Sequence, residues 1–280
     1  MTEDAGLGTV AGLRRYPVKS MLGEDLTAAD VTIAGLAGDR VLGLVHRQTG
    51  KVASAKNPRA WHRLLALRAA GRGAAVTITF PGGTAMAGSD PGIDAALSAC
   101  LGQPVTLAAT PPPEATLDRA VPEEVLRDGV RAPVSVEVSR IGGASPGGNF
   151  VDFAPLHLLT TATLDRIGAL SPRGTVELER YRPNIVIRAS ALGFAENDWP
   201  GHDLRIGPDL VIRVIARTPR CAVPTLEHGE LPRDTHALRV PAEHNRISAR
   251  ADLGPEPCAG VYAQVLRPGR IRLGDIARLA

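Results

Sequence analysis

Short apolar runs separated by glycine and proline are the feature that most limits how this chain can fold. The 280 residues include 30 Gly and 23 Pro. The β-rich runs between them include residues 31–33, 76–80, 185–187 and 210–215. Short runs of this kind, bounded by turn residues, are typical of strands. Strands therefore dominate, and we predict a mainly β, β-rich α+β fold of barrel-like architecture.

Helices and turns are few in this pattern. Residues 48–50 predict a hairpin turn, because Gly50 can take the positive φ that such a turn requires. Residues 94–101 predict a helix that Gly102 ends. A second short helix is predicted with Thr161 as its N-cap. The helices are thus additions to a framework of strands.

The chain is long for one hydrophobic core, which favours two units. Residues 110–113 are rich in proline and residues 142–148 are rich in glycine, so both are predicted to be connectors. We place the boundary near residue 115. This gives an N-terminal β-barrel-like domain over residues 1–115 and a second β-barrel domain over residues 116–280.

Charge and composition exclude several classes of protein. The 32 basic residues face 29 acidic ones and aromatic residues make up 3%, whereas nucleic-acid binders usually show a basic stripe and stacking aromatics. No apolar run is long enough to span a bilayer. The acidic start of the chain has no apolar signal segment. We expect no nucleic acid, no membrane and a cytoplasmic location.

The three cysteines have different settings. Cys100, Cys221 and Cys258 form no CxxC pair, so neither a disulfide framework nor a four-ligand zinc or iron–sulfur site is indicated. Cys100 on the apolar helix and Cys258 beside a strand are predicted to be packing residues. Cys221 follows Arg220 on a turn. Because a thiolate beside permanent cations is a soft metal ligand, Cys221 is the candidate catalytic and metal-binding residue, with Arg220 beside it.

A second set of residues, scattered along the chain, is suited to binding an anion through ammonium, guanidinium, hydroxyl and amide groups. Each also has an ordinary interpretation, such as a solvated lysine, a local Asp–Arg pair or a surface corner. Together with the thiol they suggest a buried anionic cofactor with one open coordination site. The members are Lys19, Ser20, Arg40, Thr160, Thr161, Arg182 and Asn184.

These motifs resemble those of one family. Residues 18–20 with 23–24, residues 38–40 and residues 54–59 resemble the N-terminal β-barrel domain of MOSC proteins. The remaining motifs resemble the MOSC domain itself; they lie at residues 158–160, 182–184, 196–199, 220–221 and 269–275. They run in the right order over nearly the whole chain. Within the family, the chain looks like the amidoxime-reducing proteins of mitochondria and their bacterial relatives.

The resemblance implies a molybdenum cofactor, in which a pterin dithiolene holds the metal and a protein cysteine supplies another sulfur ligand. Cys221 would be that ligand and Arg220 would lie beside the metal. The pterin and its phosphate would be held by Lys19, Ser20, Arg40, Thr160, Thr161, Arg182 and Asn184. The cofactor would then sit between the two domains.

The reaction implied by the resemblance is reduction of small N-hydroxylated or N-oxide compounds by oxygen-atom removal. Some bacterial relatives carry a ferredoxin domain after the MOSC domain. This sequence ends at Ala280 without one, so a separate electron-donor protein of ferredoxin or flavin reductase type is expected. Two alternatives stay open. Cys221 could carry a persulfide in sulfur transfer, or the protein could bind and deliver the molybdenum cofactor without catalysis.

Overall fold

The computed structural model describes residues 6–189 and 191–280, and in them strands predominate. The helices are α1 Pro58–Trp61, α2 Ile93–Leu101, α3 Pro122–Asp128, α4 Thr161–Leu170 and α5 His236–His244. The strands are β1 Gly6–Arg15, β2 Glu24–Leu26, β3 Ala28–Thr32, β4 Gly35–Leu36, β5 Gly43–His46, β6 Arg68–Ala70, β7 Thr77–Thr79, β8 Ala85–Ala87, β9 Val105–Ala108, β10 Thr116–Ala120, β11 Val136–Arg140, β12 Leu156–Thr160, β13 Ile185–Ala189, β14 Asp203–Ile206, β15 Leu210–Pro219, β16 Arg246–Ser248, β17 Pro255–Arg267, β18 Gly269–Arg272 and β19 Ile276–Leu279. The predicted mainly β fold is confirmed.

The largest sheet closes into a barrel. Its strands follow the order β12, β13, β1, β19, β14, β15 and β17, and β17 pairs back onto β12. Closure leaves none of these strands with an unpaired edge along the ring. Because β1 lies between β13 and β19, the first strand of the chain is part of a barrel made otherwise from the C-terminal half.

The barrel interior follows from alternation of side chains along each strand. In β15, Leu210, Ile212, Val214 and Ala216 are buried while the residues between them are partly or fully exposed. Successive side chains of a strand point to opposite faces, so this pattern gives one apolar face. That face packs on apolar residues of β1, β12, β13 and β17. Burial of this kind stabilises the barrel by about 25 cal/mol for each Å² of apolar surface removed from water.

The N-terminal half has a separate core and smaller sheets. Strands β5 and β9 pair, and β6, β7 and β8 form a second small sheet. The apolar face of α2, with Leu97 fully buried, packs with Leu64 and Ile78. Strand β3 leaves this half and pairs with β18 near the end of the chain. The two halves are therefore joined by shared strands as well as by packing.

Local signals in the sequence are mostly confirmed. Helix α2 ends at Gly102 with φ 69°, and Gly50 takes φ 68° in a turn that returns to a single bridge between Val45 and Val52. The predicted N-cap at Thr161 is wrong by one residue. Thr160 is the N-cap, because its hydroxyl accepts the backbone N–H of Thr163. None of the described helices is long and apolar enough to cross a membrane.

Candidate functional site

A cavity of about 270 Å³ is lined by residues from both halves of the chain. This volume is close to the lower end of the range for small-molecule pockets, about 300–1,000 Å³. Seven of the predicted site residues line it, which are Lys19, Ser20, Arg40, Arg182, Asn184, Arg220 and Cys221. Residues that lie far apart in sequence thus meet around one space.

At one side of the cavity the ring of Tyr16 lies close to two guanidinium groups. The central carbon of Arg182 is 4.3 Å from the ring centroid, and that of Arg40 is 4.9 Å from it. Cations near an aromatic face are attracted by its quadrupole, which holds both arginines in place. Asp39 pairs with Arg40 and also accepts the backbone N–H of Tyr16 at 2.7 Å. The group has fixed positions before any ligand binds.

Polar atoms in this group are buried without partners. In the described part of the chain, both terminal nitrogens of Arg182 and the hydroxyl oxygen of Tyr16 have no hydrogen-bond partner. Burial lowers the pKa of Arg182 to about 10. Unpartnered buried donors of a charged group are costly. An anionic ligand would satisfy the guanidinium, so these residues fit the phosphate-bearing cofactor that the sequence suggests.

The backbone is strained at the same place. Three non-glycine residues that line the cavity have a left-handed conformation, with φ 64° at Ser20, 49° at Arg40 and 55° at Arg182. Such a conformation costs roughly 1 kcal/mol or more for a residue with a Cβ atom. The strain directs these three side chains to the cavity, and its concentration at one site is typical of a functional region.

A lysine–aspartate–lysine cluster forms another wall. Asp152 accepts from Lys19 through one oxygen and pairs with Lys56 through the other at 3.1 Å. Lys19 also donates to the carbonyl of Phe150 at 2.8 Å. Burial lowers the pKa of Lys19 to about 8, although Asp152 favours its charged form. Burial would raise the pKa of Asp152, but the two lysines outweigh it and hold that pKa well below its usual range.

Arg220 is held by the barrel next to His157. It donates to the carbonyl of Tyr181 at 2.9 Å and lies 3.4 Å from His157 Nε2. Since arginine only donates, Nε2 accepts, and Nδ1–H of His157 donates to the Arg182 carbonyl at 3.4 Å. Burial and the charge of Arg220 lower the pKa of His157 well below its ordinary value. A neutral imidazole thus orients the arginine that precedes the candidate metal ligand.

A bulge in β17 makes room for this contact. The pairing of β15 with β17 shifts register between Arg217 and Pro219, opposite Gly260, which has φ 83°. A Cβ atom on Gly260 would lie 2.3 Å from His157 Nε2. Only glycine fits here, both for its φ and for the approach of the ring. The bulge therefore shapes the segment that leads into Arg220 and Cys221.

Cys221 is half-buried, free and on the cavity wall. Its side chain packs beside Ala55, Leu65 and Val223. It lies close enough to Lys56 to favour the charged form of that lysine. The described residues contain no cluster of three or more His, Cys, Asp or Glu side chains able to hold a metal ion. The cavity wall therefore presents one thiol group, that of Cys221, among cationic side chains.

Two of the predicted site residues lie elsewhere. Thr160 and Thr161 do not line the cavity. The Thr160 hydroxyl is fully buried and donates to Glu196 at 2.5 Å while it caps α4. Asn184 does reach the cavity, but its amide also joins strands: it accepts from the backbone N–H of His157 at 3.2 Å and donates to the carbonyl of Arg14 at 3.3 Å.

Sequence reasoning missed several residues of the wall, namely Lys56, Asp152, His157 and Tyr262, and it missed Tyr16, whose ring holds Arg40 and Arg182. His157 carried a signal, because it is a polar residue within an otherwise apolar strand. Tyr16 precedes a proline in a chain with few aromatics, which is a weaker signal. Asp152 follows the glycine-rich connector and matches no motif. Only the fold brings it between two lysines.

Two family models match this chain. Residues 7–113 match the family model of the MOSC N-terminal beta barrel domain, and residues 147–278 match that of the MOSC domain. A solved structure of the YUAD protein from Bacillus subtilis aligns over 97% of this chain and 94% of its own, with 11% identity and a TM-score of 0.44.

Two curated relatives match part of the chain. Mitochondrial amidoxime-reducing component 1 of Mus musculus is 30% identical over 129 residues, covering 45% of this chain and 36% of the relative. Mitochondrial amidoxime reducing component 2 of Homo sapiens is 29% identical over 135 residues, covering 45% and 37%. The match spans little more than a third of the length of these relatives. With both family models in sequence order, the chain is a MOSC-domain protein that also carries the MOSC N-terminal β-barrel domain.

Proposed function

We propose that this protein is a molybdenum-cofactor-dependent oxidoreductase. The MOSC domain is a molybdenum-cofactor-binding domain, and the curated relatives are named for amidoxime reduction. The reaction proposed here is removal of oxygen from small N-hydroxylated or N-oxide compounds. Cys221 is the proposed metal ligand.

One observation carries the proposal. A free thiol and buried guanidinium atoms without partners line the same cavity, with residues 7–113 and 147–278 both contributing. Burying unpaired donors of a charged group costs free energy, because no hydrogen bond within the described structure compensates for the water that these donors lose. An anion that carries a thiol-seeking metal would use both features at once.

The proposed roles of the residues follow from their present contacts. Arg182 and Arg40, held against Tyr16, would bind the anionic part of the cofactor, and Lys19, Ser20 and Asn184 would line its path. Cys221 would supply a thiolate to the metal, and Arg220, oriented by neutral His157, would keep positive charge beside it. Thr160 and Thr161 have no role at the cofactor in this proposal.

The proposed reduction requires no further reactive group from this chain. An N-hydroxylated substrate takes up two electrons and two protons, its N–O bond breaks, and an N–H compound and water leave. When bound, molybdenum would supply the two-electron couple for this reduction. The cavity residues would hold the substrate, and Lys19 and Lys56 on the wall bear exchangeable protons. A separate donor protein of ferredoxin or flavin reductase type would supply the electrons.

The test is metal and pterin content in protein made in a cofactor-competent host. We expect near-stoichiometric molybdenum and pterin fluorescence in the natural protein, and loss of molybdenum in Cys221→Ala with the fold retained by circular dichroism. Cys100→Ser is the matched control, because Cys100 lies on α2 away from the cavity. A Cys221→Ala protein that keeps full molybdenum and activity would exclude the ligand assignment.

The same material separates the proposal from its alternatives. Full cofactor without turnover of any N-oxygenated compound by dithionite-reduced protein would favour a carrier of the cofactor. Protein without metal or pterin, but with a persulfide on Cys221 by mass spectrometry, would favour sulfur transfer. Turnover that depends on Cys221 would support the oxidoreductase.

A further inference from the structure

The cavity wall holds more positive charge than its own carboxylates neutralise. Among the described residues nine lysines and arginines line it, against one acidic residue, Asp152. The cations are Lys19, Arg40, Lys56, Arg119, Arg140, Arg182, Arg217, Arg220 and Arg250. Like charges in a partly buried space repel, so any of these cations that the chain's own carboxylates leave unpaired would be stabilised by an anion from outside the chain.

Five of these cations already have a carboxylate partner. Asp152 serves both lysines, and Asp39 serves Arg40. At the exposed rim Arg140 pairs with Glu114 at 2.7 Å, and Arg250 pairs with Asp252 at 2.8 Å. Of the cations without a carboxylate partner among the described residues, Arg182 and Arg220 are assigned to the cofactor in the proposed function, as are the paired Arg40 and Lys19. Two guanidinium groups then remain, those of Arg119 and Arg217.

Arg119 is half-buried on β10, and in residues 6–189 and 191–280 its side chain makes neither a hydrogen bond nor an ion pair. Its cross-strand neighbour Glu137 is exposed and forms no ion pair with it within the same ranges. The charged group that it does influence is Lys56, of the same sign. The Arg119 guanidinium, which lies near another cation and has no acceptor in the described residues, is available to bind an anion.

Arg217 is a second cation of the cavity wall without a carboxylate partner among the described residues. One terminal nitrogen donates to the carbonyl of Ser248 at 3.1 Å, but Nε is buried and has no partner in the described part of the chain. Arg217 stands on β15, just before the bulge that leads to Cys221. Within the described ranges, therefore, neither Arg119 nor Arg217 has a carboxylate partner, and both line the cavity that holds the candidate metal ligand.

Two aromatic rings line the same cavity as these cations and the thiol. Phe153 and Tyr262 both line the cavity with ring centroids 5.4 Å apart. Such a pair gives a flat ligand an apolar surface, while the arginines give it a charged end.

We propose that the substrate carries an anionic group, of the carboxylate or phosphate kind, which Arg119 and Arg217 bind while its N–O group faces Cys221. This inference rests on the proposed function, because it names the substrate class of that same cavity. A second phosphate on a larger form of the cofactor has the same chemistry as an anionic substrate. The experiment below distinguishes these two sources.

The test compares two reducible probes on the holoprotein, benzamidoxime and 4-carboxybenzamidoxime, which differ by one carboxylate. In the natural protein we expect kcat/KM to be about tenfold higher for the carboxylate, in line with about 1.4 kcal/mol of charge-assisted binding. Arg119→Gln and Arg217→Gln should each lower the ratio of the two kcat/KM values several-fold. Arg131→Gln is the control, since it removes the same charge from an exposed residue outside the cavity.

Every outcome of this comparison either supports or contradicts the proposed anion site. An unchanged ratio in both variants, or a natural protein that prefers the uncharged probe, would overturn the inference. So would loss of pterin from Arg119→Gln together with a nucleotide-bearing cofactor in the natural protein, because the two arginines would then serve the cofactor. If neither probe is reduced, calorimetry with the non-reducible 4-carboxybenzamide tests the anion site alone. Binding weakened by Arg119→Gln would then keep the anion site while the proposed reaction fails.

Discussion

Two buried polar clusters flank the strands β12 and β13 and differ in how well they are satisfied. In the first, the fully buried Glu196 accepts from the hydroxyls of Thr160 at 2.5 Å and Thr163 at 2.7 Å, and from the backbone N–H of Gly260 at 2.9 Å. Both carboxylate oxygens are used. This cluster joins α4 to the bulge in β17.

In the second cluster, Arg182 stacks on Tyr16 with a left-handed backbone, and within the described ranges its terminal nitrogens have no partner. Native structures satisfy nearly all buried polar groups, so exceptions need a cause. The comparison teaches that complete hydrogen bonding marks the cluster that builds the fold. Strain with unmet donors is what we expect of a cluster that binds a ligand, as proposed for this one.

The largest expected effect comes from removing the carboxylate of the first cluster. Glu196→Ala would leave two hydroxyls and one N–H buried without their acceptor, at a cost of about 4 kcal/mol in the free energy of unfolding. Urea denaturation followed by circular dichroism measures this. Thr161→Ala is the control, because Thr161 is half-buried and is no donor to Glu196. We expect it to cost less than about 1 kcal/mol. Equal losses in both variants would contradict the structural role of Glu196.

The fold could be predicted from the sequence to the extent that local patterns determine it. Alternation in β15 and the glycine stop after α2 each depend on a few adjacent residues. The closure of the barrel could not be predicted this way. It depends on β1 pairing with β13 and β19, some 180 and 270 residues away, and no local pattern encodes such a partner.

The sequence points to residues of the cavity wall where charge or a thiol stands out near a turn, as at Lys19, Arg182 and Cys221. The assignment of Thr160 shows the limit of that reasoning. A hydroxyl before a helix suits a phosphate and a cap equally well, and only the position of Glu196 shows where its hydrogen bond goes. Lys56 and Asp152 are the opposite case. Neither stands out in the sequence as a site residue, and their ion pair becomes evident only in the folded structure.

The pH dependence of stability extends the comparison to His228. Its Nε2 is a further buried atom without a partner in the part of the chain that the structure describes. Burial lowers its pKa to about 4, and Arg182 and Arg180 act in the same direction, against the Leu226 carbonyl. Between pH 6.5 and about 4 the unfolded chain binds a proton that the folded chain does not. This contribution to stability is therefore full above pH 6.5 and falls by about 3 kcal/mol as pH decreases to 4.

The measurement is the free energy of unfolding at several pH values in this window, for the natural protein and for His228→Asn. Asparagine can keep the hydrogen bond that Nδ1 makes to the Leu226 carbonyl, 3.0 Å long. The variant should lose less stability on acidification by about the amount given for His228. His157 also resists protonation, so the difference between the two proteins is the relevant quantity. Parallel pH curves for the two proteins would show that the pKa of His228 is not lowered in the folded protein, so that His228 takes up its proton there as it does in the unfolded chain.

The smallest change in stability is expected in the second cluster itself. Arg182→Met removes a buried guanidinium and keeps much of its volume. The relief of an unpaired charge and the loss of stacking on Tyr16 oppose one another, so apoprotein stability should change by less than about 1 kcal/mol. Cofactor retention should nevertheless fall at least several-fold, measured as pterin per protein. The pKa of His228 should rise in an NMR titration, because the charge of Arg182 now lowers it.

These readouts separate a ligand-binding cluster from a structural one. If Arg182 held the fold together as Glu196 does, its removal would cost several kcal/mol in the apoprotein and would change the cofactor content only through unfolding. If Arg182 instead awaits a ligand, the apoprotein tolerates the change and the holoprotein does not. The shift at His228 reports whether the guanidinium occupied its place in the folded apoprotein. A destabilisation of Arg182→Met equal to that of Glu196→Ala would therefore remove the distinction on which the candidate site rests.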